Sequence, residues 1–288
     1  MRVLLRSTVE SLTPTFQQLY AEYPLEAAGE SFTDVVVRLD PARGLRRWWR
    51  PQVCFHVDGT EPLYPFAAHT HMPLLEWGLN YALAQRYMWG LLLHSGVVAR
   101  NDRAVLMPAI PGSGKSTLTA ALMCHGYRLL SDEFGAVSDD GQWVMPLVRP
   151  IALKNESISV IRDRAPSAVM GPSFPGTRKG TVAHLAPSPE SVQRRHDRAR
   201  LSCIVFPLFT RGSPTRLIPL DPATVFTKLA VNSFNYEMLG PTGFDVVAAI
   251  VAHCPAVQIV FGQLDEAIAC IDRFLDDPDT LPRSPAMA

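Results

Sequence analysis

The sequence predicts an α/β fold with a small strand-rich lobe ahead of it, and three observations lead there. Two strand-like runs at 91–99 and 104–108, joined by a turn at Asn101-Asp102, lead into a glycine-rich turn and a helical pattern over 116–125. A short apolar run at 127–131 then ends in two adjacent carboxylates, Asp132 and Glu133. Beyond residue 200, strand-like runs at 202–206 and 257–261 alternate with helical patterns near 221–232 and 265–275. Alternation of this kind is how a sheet covered by helices reads in sequence.

Earlier in the chain, 34–39 and 53–57 are β-type runs bounded by turn signals at Asp40-Pro41 and Asp58-Gly59. They define an N-terminal lobe over 1–72. Apolar residues from Leu74 to Met88 recur at helical spacing, predicting an amphipathic helix that opens a second domain over 73–275. The stretch 163–200 is rich in Pro, Ser, Gly and Arg and reads as a loop, in the manner of a mobile lid. The tail 276–288 reads as frayed.

The 288 residues are 47% hydrophobic and carry 27 basic and 27 acidic side chains, so one sizeable core is affordable and no global field draws the chain to nucleic acid or membrane. Any bound anion must be held locally. Apolar runs are too short to cross a bilayer, and the N-terminus lacks the apolar core of a signal peptide. Five cysteines without a CxxC pair read as buried thiols, so a cytoplasmic address is expected.

The residues Ala109-Ile110-Pro111-Gly112-Ser113-Gly114-Lys115-Ser116 match the phosphate-binding loop pattern, with Ala in place of the first Gly. The glycines let backbone N–H groups turn toward phosphate oxygens, and the helix N-terminus adds partial positive charge. Lys115 is placed to reach the outer phosphates, Ser116 to offer magnesium its hydroxyl, and Thr117 to follow in the first helical turn. The expected cofactors are therefore ATP and magnesium, with GTP not distinguished. Asp132 and Glu133, at the carboxyl end of a strand beside this loop, suit a metal ligand and a proton acceptor, Asp132 being the candidate for magnesium.

These residues together resemble the core of bacterial HPr kinase/phosphorylase. His94-Ser95-Gly96-Val97, the loop, and Gly126-Tyr127-Arg128-Leu129-Leu130-Ser131-Asp132-Glu133 follow that family's order and spacing over 90–137. The segments 149–155, 179–185 and 232–236 resemble the HPr-kinase-related proteins found beside exosortase and exopolysaccharide genes. The resemblance implies a mixed, strongly bent sheet like the nucleotide domain of phosphoenolpyruvate carboxykinase. It also implies phosphoryl transfer from ATP to a serine hydroxyl, with His94 near the transferred group and Asp132 and Glu133 as the acidic pair. Where the family has two Asp, this chain has Asp then Glu, which leaves the division between base and metal ligand open. The C-terminal Arg-rich signature and the HPr-docking helix are not recognisable, so the acceptor is open: a protein, a peptide or a small molecule. Phosphorylase activity is unsupported. Alternatives are an ATP-binding regulator without transfer and a slow ATPase, and homo-oligomer formation is left open.

Arg178 and Lys179 suit a phosphate-gripping lid or a solvated basic loop equally. His69-Thr70-His71 lacks a third ligand and reads as no metal site. The basic run 194–200 reads as a solvated face, not a nucleic-acid contact. Trp48-Trp49 reads as a strand packing one ring on the core.

Overall fold

A computed structural model describes residues 1–277, and the tail expectation beyond them lies outside the described residues. In chain order the elements are β1 Val3–Ser7, α1 Leu12–Leu19, β2 Val35–Pro41, β3 Gln52–Val57, β4 Phe66–Ala67, α2 His71–Ala84, β5 Leu91–Arg100, β6 Arg103–Pro108, α3 Lys115–Cys124, β7 Arg128–Ser131, β8 Phe134–Val137, and β9 Trp143–Met145. There follow β10 Ile151–Lys154, α4 Glu156–Arg164, β11 Phe174–Thr177, β12 Gly180–Leu185, α5 Pro189–Gln193, β13 Ala199–Phe209, β14 Arg216–Pro219, α6 Pro222–Val231, α7 Tyr236–Leu239, α8 Pro241–His253, β15 Ala256–Phe261 and α9 Leu264–Asp276.

The chain divides into two compact units. The first takes residues 1–86, 152–162 and 167–186, and so reaches past the boundary expected at 72. The reason is α2: its residues Met72, Leu74, Leu75, Leu79 and Ala82 are buried in one core with Val37, Leu39, Val53 and Phe55 of β2 and β3. In this unit β1 and β2 are parallel, while β2–β3 and β3–β4 are antiparallel. The stretch 163–200, expected as loop, instead contains β11, β12, α5 and the start of β13. Strands β11 and β12 form an antiparallel pair beside β10, and Phe174 of β11 joins the core of the first unit.

The second unit holds a mixed eight-stranded sheet of order β14-β15-β13-β6-β5-β8-β9, with β7 paired to β5. Strands β6, β13 and β15 run parallel, and β5 pairs antiparallel with β6, β7 and β8. The first residues of β13 also pair with β9, so the path from β13 through β6, β5, β8 and β9 returns to β13. Strand β5 is at the centre of this arrangement, and Leu91, Leu93, Val97 and Ala99 enter the same core as Leu106, Ile204, Val246 and Ile250.

Local chemistry explains the helix ends. Asp221 caps α6 by accepting from Thr224 N at 2.9 Å, and Pro222 occupies the first turn, where its missing N–H costs nothing. Helix α3 ends at Cys124, and the left-handed backbone of Gly126 turns the chain so that Tyr127 N donates back to Leu122 O at 3.1 Å.

All five cysteines are free. Burial pushes the Cys203 thiol up to about 12 and Cys254 up to about 11, as expected of inert core thiols. Cys124, by contrast, is exposed.

The basic run 194–200 is absorbed by internal partners. Arg194 pairs with Asp102 at 2.6 Å and with Asp197 at 2.9 Å, and the Arg198 guanidinium lies 4.0 Å from the Trp143 ring centroid. Buried Arg128 completes the cluster, donating to Asp102 and to the carbonyls of Arg194 and Asp197.

Candidate functional site

The glycine-rich turn connects β6 to α3 within the second unit. Its conformation is set by two left-handed residues, Gly112 at φ 90° and Gly114 at φ 89°. At Gly114 a side chain would be strained on two counts, since an added Cβ would also lie 2.9 Å from Phe209 Cβ. The turn is pinned at both ends: Ala109 N donates to His94 O at 3.4 Å, and Phe209 N donates to Ser113 O at 2.9 Å. Pro111 and Gly112 are exposed at its crest, Ser116 and Thr117 are half-buried, and the Ser113 hydroxyl is buried with no hydrogen-bond partner. Lys115 and Ser116 begin α3, so their N–H groups have no acceptor inside the helix.

Lys115 itself is buried. Its ammonium donates to the main-chain carbonyl of Asp132 and lies 3.3 Å from Asp132 Oδ1. Both side chains are less than a tenth exposed, 7% and 5%, so the charges are matched where water is scarce. Helix α3 approaches β5 closely enough that a Cβ at Gly96 would collide with Thr119 Oγ1 and would lie 3.5 Å from Lys115 Cγ. Glycine in the His-Ser-Gly-Val strand thus makes room for the Thr119 hydroxyl, one helical turn beyond Lys115.

Glu133 is directed differently. Its Oε1 lies 3.8 Å from His94 Nε2, and both side chains are about a quarter exposed, 28% and 23%. The adjacent carboxylates therefore face two environments: Asp132 is locked to the lysine, while Glu133 and His94 remain accessible. The strand geometry accounts for this, because β7 ends at Ser131 and β8 begins at Phe134, leaving the acidic pair in the tight connection between two strands that both pair with β5. Ser131 Oγ accepts from Glu133 N at 3.3 Å and from Phe134 N at 3.0 Å, which fixes that connection.

The segment 232–236 carries no signal in the sequence beyond its resemblance. Here it lies along β5: His94 N donates to Asn232 O at 2.7 Å, and Phe234 N donates to Leu92 O at 2.8 Å. The Phe234 ring meets the His94 ring edge-on at 5.9 Å and Phe134 at 5.0 Å. Asn235 is 3% exposed; its Oδ1 accepts from Leu92 N and its Nδ2 donates to Gly90 O, each at 2.9 Å. A contact between positions some 140 residues apart leaves no local signal beyond the run of polar residues after α6.

Thus His94, Lys115, Asp132, Glu133 and the 111–117 turn come together in the second unit. Arg178 and Lys179 belong to the first, in the turn between β11 and β12. There the Arg178 guanidinium lies 5.9 Å from the Tyr64 ring and 5.7 Å from Phe66, and Lys179 Nζ lies 5.2 Å from Trp77. His69 Nε2 pairs with Pro175 O at 3.0 Å and His71 Nδ1 with Ala68 O at 3.2 Å, so both rings are engaged by backbone.

The donor set fits a phosphate with magnesium. A turn of backbone N–H groups, a buried ammonium and the Ser116 hydroxyl suit phosphate oxygens and a hard cation. Among the described residues no cluster of three or more His, Cys, Asp or Glu side chains is placed to hold a metal. Magnesium bound through phosphates asks less, commonly one or two carboxylates with water making up the rest.

No protein-family model matches this chain, and no curated protein matches it. Among solved structures it is similar to the Hpr(Ser) kinase/phosphatase from Coxiella burnetii, at 11% identity over 64% of this chain and 96% of that one, with a TM-score of 0.24. A likeness of that size carries no weight for fold or chemistry. Among the described residues, no helix is long and apolar enough to cross a membrane.

Proposed function

We propose that the protein is an ATP-dependent phosphotransferase that places the γ-phosphate on a serine-type hydroxyl, in the manner of the HPr-kinase-related proteins its motifs resemble. The observation that carries this reading is the buried Lys115–Asp132 pair, 3.3 Å apart, at the start of a helix that follows a glycine turn. A cation held there by one carboxylate has its charge and position set before any ligand arrives, so binding need not reorganise it.

Bound ATP with magnesium would supply the transferable phosphoryl group and the charge that screens it. The N–H groups of the 112–116 turn and the Lys115 ammonium hold phosphate oxygens, and Ser116 and Asp132 are the metal-side ligands. Glu133 is the proton acceptor for the attacking hydroxyl. Its exposure supports this division, since a base must meet a second substrate and the Asp132 carboxylate, 5% exposed, is shielded. His94, within 3.8 Å of Glu133, orients that carboxylate and adds a positive charge when protonated.

The test is ADP release by the purified protein with magnesium, with and without free serine, serine peptides and fractionated lysate as acceptors. Acceptor-dependent release, with phosphoserine found by mass spectrometry, is expected. Tight ATP binding with no transfer to any acceptor would instead favour a nucleotide-sensing regulator, and ADP release indifferent to every acceptor would mark an ATPase.

A further inference from the structure

The connection between β2 and β3 presents Arg43, Leu45, Arg46, Arg47, Trp48, Trp49 and Arg50, all exposed. Leu45 is 70% exposed, Trp48 79% and Trp49 60%, so three large apolar side chains of the first unit face solvent on one short loop. The expected packing of one tryptophan on the core does not occur. The backbone explains why: Ala42 N donates to Gln52 O at 2.8 Å, closing the loop's base, and residues 44–47 form a 3-10 turn. Trp48 N and Trp49 N then donate to Leu45 O at 3.1 and 2.9 Å, which folds the loop on itself. The Arg47 guanidinium lies 5.5 Å from the Trp48 ring and the Arg50 guanidinium 5.4 Å from Trp49.

We propose that this loop docks the protein on an anionic lipid surface. Four arginines and no carboxylate lie between Ala42 and Pro51 in a chain whose formal charge is zero, so the positive field is local and has to be met by a local anion. Tryptophan is the side chain that settles at headgroup depth, where its ring is half in hydrocarbon and its N–H stays wet. Arginine flanking such rings binds anionic headgroups, and the aliphatic Leu45 gains from burial among acyl chains. A nucleic acid would reward the arginines and the rings but offers nothing to Leu45. The closed base of the loop means that little ordering is left to be done on contact.

The experiment is co-sedimentation of the full chain with vesicles of phosphatidylcholine alone or with about a third phosphatidylglycerol, at low and at raised salt. Binding is expected on the anionic vesicles only, weakening with salt, with tryptophan emission quenched by brominated lipid. Each arginine near an anionic surface contributes roughly fivefold in partition. Arg46→Ala/Arg47→Ala should therefore weaken binding by at least ~tenfold, and Trp48→Ser/Trp49→Ser should abolish the quenching. The arginine variant keeps the test intact if the tryptophan variant fails to fold. Absence of binding to anionic vesicles, binding unchanged in a folded arginine variant, or capture of a single-stranded oligonucleotide in place of vesicles would each overturn the proposal. None of these readouts depends on ATP.

Discussion

The Lys115 ammonium and the Asp132 carboxylate lie 3.3 Å apart with hardly any exposure to water. Removing one partner takes from the other its opposite charge. Lys115→Met is expected to abolish ATP turnover and also to lower stability by ~3–5 kcal/mol, the usual cost of an uncompensated buried charge. In Lys115→Met/Asp132→Asn the orphaned charge is gone, and urea unfolding should show much of the loss restored while turnover stays absent. Equal stability of the single and double variants would contradict the pairing.

Gly96 faces Thr119 on α3 with no room for a methyl group. Gly96→Ala is expected to destabilise by ~1–3 kcal/mol through overpacking against Thr119 Oγ1, and to weaken ATP binding by disturbing the first turn of α3, where that hydroxyl donates to Lys115 O at 2.9 Å. Thr119→Ala removes the obstructing hydroxyl, so the double variant Gly96→Ala/Thr119→Ala should recover part of both. A double-mutant cycle from thermal melts and ATP titrations measures that coupling.

Much of this site is legible in the sequence, because its parts are local. The 91–108 strands and the helix after Gly114 follow from apolar runs, a turn and glycines, and the structure places β5, β6 and α3 there. The 163–200 stretch misleads because β11 and β12 are short and interrupted by Pro175, Gly176 and Gly180, while their order comes from β10 and from the core contact of Phe174. Likewise, nothing in Trp48-Trp49 signals that its loop closes on itself at Ala42 and Gln52 and turns both rings outward.

Asn235 satisfies two buried backbone groups of the segment leading into β5, the N–H of Leu92 and the carbonyl of Gly90. Asn235→Ala leaves both without their partner and is expected to cost ~1–3 kcal/mol in urea unfolding. Because the same segment carries Phe234 against His94, turnover should fall further than ATP affinity does.

His71 gives the first unit a pH dependence. Burial holds its imidazole below the usual 6.5, with the Ala68 and Ser11 backbone only partly opposing. The unfolded chain takes up that proton near 6.5, the folded ring only at lower pH. Between the two values the unfolded state binds more protons, so stability rises with pH and is lost on acidification. His71→Gln should flatten the fall of the urea midpoint as the pH drops below about 6.5, the ordinary imidazole value; an unchanged slope would contradict it.

Most direct for the account as a whole is Glu133→Gln, assayed for acceptor-dependent ADP release beside ATP affinity. Glu133 is a partly exposed neighbour of His94, outside the Lys115–Asp132 pair. ATP affinity is expected to stay close to that of the unaltered protein and transfer to fall by ~10²–10⁴, the usual contribution of a positioned base. Transfer undiminished in Glu133→Gln would contradict the assignment of the base and, with it, the reading of the site as a phosphotransferase of this kind.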